Sequence, residues 1–149
     1  MKKLISVVTA AALVAFAGSA FAASTTATVS VSATVAASCT ASTNTNISFG
    51  TLDPILDGAT TTASSKSGAG QILVQCTQGT NYTFTAPGSV NMLNGTNTIA
   101  FTPVLPTIPA NDGAVAGKTY TIDASVAKTA YASVPAGAYT GNLVVTINY

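Results

Sequence analysis

Residues 26–35 alternate without interruption. Ala27, Val29, Val31, Ala33 and Val35 fall on one side at period two. Thr28, Ser30, Ser32 and Thr34 fall on the other. Successive side chains of a strand point to opposite faces, so this pattern predicts a β-strand with one buried face. The same period returns downstream. Gln71–Cys76 places Ile72, Val74 and Cys76 together. Tyr82 and Phe84 share a face, as do Ile99 and Phe101 in Thr98–Val104, and Tyr120 and Ile122 in Lys118–Asp123. The closing stretch Tyr139–Tyr149 aligns Leu143, Val145, Ile147 and Tyr149. Ile47–Pro54 reads as a short strand entering a turn, and Lys128–Ser133 as a further candidate strand.

Punctuation between these runs is that of a β protein. Asn44–Asn46, Gln78–Asn81 and Asn111–Gly113 read as turns. Asn94-Gly95 predicts a tight hairpin of type I′. Asp57–Gly70, rich in Gly, Ser, Thr and Ala around Lys66, predicts a mobile surface loop. Pro103, Pro106 and Pro109 make their stretch irregular or edge-like. Outside the first 22 residues no segment has helical periodicity. About seven short strands at this spacing predict an all-β, immunoglobulin-like sandwich in a single domain.

The first residues change the picture. Lys2 and Lys3 precede an apolar run from Leu4 to Phe16, and Ala20-Phe21-Ala22 fits a small-x-small cleavage site. This predicts a secretory signal peptide over residues 1–22. The run is short for a retained membrane helix, which needs about 20 residues. The alternating stretch then sits at the start of a mature chain beginning at Ala23. The expected organisation is a signal peptide (1–22), a free N-terminal segment (23–35) and a β-sandwich domain (36–149). Nothing near the leading strand offers a hairpin partner, so its apolar face needs a groove, and another copy of the same protein can provide it.

Charge and cysteine content narrow the chemistry. Beyond the signal, Lys66, Lys118 and Lys128 oppose Asp53, Asp57, Asp112 and Asp123, and Arg, Glu, His and Trp are absent. Without His there is no Ser–His or Cys–His pair and no zinc-type Cys/His cluster. Single scattered aspartates offer no paired-carboxylate site, and three lysines make no nucleic-acid face. No cofactor site is expected. Lys128, Tyr131 and Asp53 read as solvated charges and a core aromatic rather than as a binding site. Cys39 and Cys76 are the two cysteines. In an exported chain they predict one disulfide, and a reactive-thiol role lacks the base that thiolate chemistry needs.

Several stretches together resemble the spore coat protein U domain family, which includes subunits of archaic chaperone–usher pili. They are the alternating leader before Cys39, Phe49-Gly50-Thr51-Leu52-Asp53, Ile72–Cys76, Gly79-Thr80-Asn81-Tyr82, and the closing pattern Gly137–Tyr149. The middle, Ser89–Lys128, departs from the family pattern. The resemblance implies an incomplete sandwich with a free N-terminal donor strand and an open groove beside the final strand. Ala27, Val29, Val31, Ala33 and Val35 would then be the donor face. Leu143, Val145, Ile147 and Tyr149 would form the groove edge that contacts a periplasmic chaperone. Implied partners are identical or related pilin subunits, that chaperone and an outer-membrane usher. The implied function is a structural subunit of an adhesive pilus, exported through the periplasm to a cell-surface fimbrium and supporting attachment and biofilm formation. The alternative is a secreted coat-like or adhesin module that forms no rod.

Overall fold

The computed structural model describes residues 24–149. The expected signal peptide, residues 1–22, lies outside the described residues. The fold is carried by Thr34–Tyr149, a compact unit separate from the residues that precede it. It comprises β1 (Cys39–Thr45), β2 (Thr60–Thr62), α1 (Ala63–Lys66), β3 (Gly70–Cys76), β4 (Thr83–Thr85), β5 (Val90–Asn94), β6 (Asn97–Val104), β7 (Lys118–Ala127), α2 (Lys128–Tyr131) and β8 (Thr146–Asn148). The architecture is nearly all β, and every strand pair is antiparallel. One sheet runs β1-β3-β7-β6-β5 with β2 also on β7, and a second pairs β4 with β8.

Strand β7 organises the larger sheet. Its first half, Lys118–Ile122, pairs with β3. Its second half pairs with β6 through Asp123–Ser125 and with β2 through Ser125–Ala127. Alternation explains its burial: Ile122, Ala124 and Val126 are all buried. The strand therefore runs four residues past Asp123, where small side chains had hidden the pattern. Strand β6 changes partner in the same way, pairing with β5 over Asn97–Phe101 and with β7 over Thr102–Val104. Pro103 falls where only one side of β6 is paired, so its missing N–H breaks no ladder.

Two apolar clusters result. One gathers Phe49, Ala63, Ile99, Phe101, Ala124, Val126 and Tyr131, with Phe49 and Phe101 edge to face at 6.0 Å. The other gathers Val74, Cys76 and Tyr82 with Phe84, Tyr120 and Ile147 around them. Cys39 and Cys76 face each other in the β1–β3 register and are disulfide-bonded.

Several elements differ from the sequence expectation. Asn44 and Thr45 end β1 rather than forming a turn, because Thr45 still pairs with Gln71. The stretch Asp57–Gly70 is no simple loop: it holds β2 and the helical turn α1, with Thr61 and Ala63 buried. Ala63 is small enough to sit fully enclosed, and a small residue gives no apolar signal. Lys128–Tyr131 is a helical turn instead of a strand, too short to show a period. The β5–β6 hairpin is where Asn94-Gly95 placed it, but Asn94 pairs with Asn97. Gly95 is thus the first central residue, with φ 59°, and Thr96 keeps a negative φ. Glycine first and a negative φ second is the type II′ arrangement, not type I′. Ile47–Pro54 and Tyr139–Val145 form no ladder of their own; each carries a single bridge, Ser48 to Gly68 and Thr140 to Leu93.

The disulfide closes a loop of 37 positions. Replacing Cys39 with Ser is expected to cost roughly 3–4 kcal/mol by the loop-entropy argument. Urea denaturation of the oxidised protein and the variant measures this, and an unchanged midpoint refutes it.

Candidate functional site: an open cleft between two unpaired edges

A cleft of about 920 Å³ opens onto the first apolar cluster. Its first wall is the stretch 43–54 and its second is 134–145. Ile72, Met92, Ile99, Phe101, Ile122 and Tyr131 form the floor. No Asp or Lys is among its lining residues. Phe49, Ile99, Phe101 and Tyr131 are core residues and cleft residues at once. The largest side chains below 2% exposure are only Val74 and Val126. Phe49, Ile99, Phe101 and Tyr131 are buried at 4–6% exposure and form the inner end of the cleft.

Each wall is held on one side. Ser48 exchanges both backbone hydrogen bonds with Gly68, at 2.9 and 3.2 Å. Leu93 and Thr140 do the same at 2.7 and 3.1 Å. Elsewhere the walls are open: the N–H groups of Phe49, Leu52, Leu143 and Val145 have no hydrogen-bond partner among the described residues. Extended backbone of this kind is a template for another strand. Gly141 sets how closely the second wall lies on β5, since a Cβ there would stand 2.6 Å from the Asn91 carbonyl oxygen and 3.2 Å from Met92 Cα.

The first wall continues into a turn fixed by polar groups. The Asp53 carboxylate accepts from the N–H groups of Ile55 (2.7 Å) and Leu56 (3.1 Å), which is why the chain turns there. Asp57 accepts from the Asp53 N–H at 2.7 Å and from Tyr131 Oη at 3.3 Å, and pairs with Lys66. Lys128 Nζ donates to the Asp57 carbonyl at 2.9 Å and the Ile55 carbonyl at 3.3 Å. The turn is therefore tied to both α1 and α2. Tyr131 is the core aromatic that the sequence suggested, whereas Lys128 is a backbone clamp rather than a free charge. Hydrogen bonding to Lys66 holds the Asp57 carboxyl below its ordinary range. The Ile55 and Leu56 amides do the same for Asp53. Burial raises Asp123, but hydrogen bonds from Ser64 and the Ala124 amide outweigh it and leave it lowered.

At the opposite cluster Tyr82, Tyr120, Asp112 and Lys118 form a hydrogen-bonded chain. Lys118 and then Tyr120 lower Asp112. Burial pushes the Tyr120 hydroxyl far up.

The residues singled out from the sequence fall in different places. Leu143 and Val145 line the cleft, half-buried. Ile147 packs with the second cluster, and Tyr149 is 62% exposed beside Tyr82 and Ile108. The segment Ala27–Val35 has no regular secondary structure, and Val29, Val31 and Val35 are 81, 90 and 82% exposed. Among the described residues no group of three His, Cys, Asp or Glu could hold a metal. No helix there is long and apolar enough to cross a membrane.

The Spore Coat Protein U domain matches residues 25–102, more than half of the chain. The chain belongs to the Spore Coat Protein U domain family. This is a family of chaperone–usher pilus subunits, a structural domain rather than an enzyme. No curated protein and no solved structure matches the chain. The match covers the first wall of the cleft, the disulfide and the β5–β6 hairpin. The second wall lies beyond it.

Two predictions concern the walls. Gly141→Val should lift the second wall from β5 and lower the thermal midpoint by several degrees, read by calorimetry. A midpoint within a degree of the parent would show that the seam is not tight. The second concerns pH. The lowered carboxyls of Asp53, Asp57 and Asp112 have folded values below their unfolded ones, so their stabilisation is complete above about pH 4 and is lost as pH falls. Asp57→Asn should be less stable than the parent at pH 7 and should lose less on going to pH 3. Equal losses in denaturant midpoint would remove Asp57 from that role.

Proposed function

We propose that this Spore Coat Protein U domain protein is a structural subunit of an adhesive pilus, assembled by donor-strand complementation through a chaperone–usher pathway. The observation that carries the reading is the charge-free cleft with unpaired backbone on both walls and core side chains at its floor. An inserted strand would satisfy both edges at once and cover Phe49, Ile99 and Phe101. In such β-augmentation backbone bonds supply affinity, while side-chain pockets supply specificity.

The donor is the segment Thr26–Val35 of the next subunit. Its exposure supports this role, because a segment with an apolar face and no local partner is available to another copy. Ala27, Val29, Val31, Ala33 and Val35 face the floor, and the Thr and Ser between them face water. Leu143 and Val145 form the groove edge, while Ile147 and Tyr149 beyond them lie outside the cleft. A periplasmic chaperone occupies the groove first, since an open edge is an aggregation hazard. An outer-membrane usher then exchanges it for the donor. In this scheme residues 1–22 direct export, 23–35 form the donor segment and 36–149 the pilin domain. The product is a cell-surface fimbrium that supports attachment and biofilm formation.

Substitution in the donor segment tests the scheme. A charge at Val31 would have to be buried unpaired, at a cost of several kcal/mol, while a charge at Ser32 stays in water. Val31→Asp is expected to abolish fibres while leaving a folded, chaperone-bound subunit, and Ser32→Asp to polymerise normally. Fibre ladders on unboiled gels provide the readout. Equal polymerisation of both variants overturns the face assignment. Unfolding of the Val31→Asp monomer would place the segment in the subunit's own core.

A further inference from the structure

Thr77 holds the root of the leading segment through three hydrogen bonds. Its N–H donates to the Ser38 carbonyl at 2.9 Å. Its hydroxyl accepts from the Ser38 N–H and donates to the Ala36 carbonyl, both at 3.1 Å. One side chain thus uses its donor and an acceptor on the two residues that flank Ala37. The platform beneath it is itself locked. Thr80 N–H donates to the Thr77 carbonyl, Gly113 N–H to the Thr80 carbonyl and Gly79 N–H to the Gly113 carbonyl, each at 3.0 Å. The Cys39–Cys76 disulfide stands next to the clamp on both strands, Cys39 after Ser38 and Cys76 before Thr77. Residues 24–35 before it have no regular secondary structure. The chain passes at Ala36–Ser38 from unpaired backbone to pinned backbone, and Thr77 marks the boundary.

We infer that Thr77 is an orienting residue for assembly: by fixing Ala36–Ser38 it sets the direction in which each subunit's donor segment leaves the body. It thereby restricts the angle between successive subunits in the fibre. The inference rests on the donor role proposed above. A donor seated in the next subunit is rigid, and the body is rigid, so the short stretch between them is the joint. Were Ala36–Ser38 free, three residues of rotatable backbone would separate the two bodies. With the clamp in place, only backbone between the donor's last paired residue and Ala36 can turn. The disulfide alone cannot do this, because it ends at Cys39 and leaves Ser38 and Ala36 to rotate.

The test compares wild-type protein with Thr77→Val and Thr77→Ser. Valine keeps the shape and the backbone bond but removes both hydroxyl bonds; serine restores them. Two readouts are taken, amide hydrogen exchange at Ser38 in the isolated subunit and the spread of inter-subunit angles in electron micrographs of fibres. Thr77→Val is expected to speed Ser38 exchange about tenfold and to broaden the angular distribution, with fibre yield retained. Thr77→Ser is expected to match the wild type in both. Unchanged exchange in Thr77→Val overturns the clamp. Faster exchange with an unchanged angular spread overturns its role in orientation. Wild-type protein that forms no fibres overturns the donor reading and the orienting role together, while the exchange comparison still decides whether the clamp exists. Global unfolding of Thr77→Val, read as faster exchange throughout the core, would make Thr77 a fold determinant and also overturn the inference.

Discussion

Backbone hydrogen bonding at the cleft is the constraint on which the rest of the structure depends. Polar backbone groups beside an apolar core must find partners, because leaving them bare where water is excluded is costly. Here two extended segments each satisfy one side, through Ser48 with Gly68 and Thr140 with Leu93, and leave the other side to the cleft. Phe49, Phe101 and Tyr131 are buried in the core and also line the inner end of the cleft.

Holding an open edge in place without a neighbouring strand requires other restraints. The first wall is anchored through the turn at Asp53–Asp57 to Lys66, Lys128 and Tyr131. The second wall is held by the close approach of Gly141 to β5. Far from the cleft, the disulfide and the Tyr82–Tyr120–Asp112–Lys118 chain fix the other cluster. All four aspartates are thus used in holding loops and turns, and the cleft itself carries no charge. A buried unpaired charge would be prohibitive on such an apolar surface.

Strands with large alternating side chains were legible from the sequence. Ile72, Val74 and Cys76 on β3, and Ile99 and Phe101 on β6, announce their faces because bulky residues recur at period two. The disulfide was legible from a count of two cysteines behind an expected signal peptide. The elements built on small residues were not. Thr61 and Ala63 are buried against β7, yet nothing in a Ser-, Thr- and Ala-rich stretch distinguishes them from surface residues. The helical turns at Ala63–Lys66 and Lys128–Tyr131 are shorter than one amphipathic repeat. The closing run Tyr139–Tyr149 alternates like a single strand, but it pairs at Thr140 with β5 and at Thr146–Asn148 with β4.

By itself, then, the sequence determined the all-β class, the cysteine pair and an alternating leader. These follow from residue type and local period, which need no knowledge of distant neighbours. Only the tertiary structure decided that stretches 43–54 and 134–145 stand on either side of one cleft, that Leu143 and Val145 line it, and that Asp57, Lys66, Lys128 and Tyr131 meet behind it. Such meetings join residues up to 74 positions apart. Whether an extended segment gains a partner on one side or two depends on where the sheet ends, and period-two alternation reads the same in both cases.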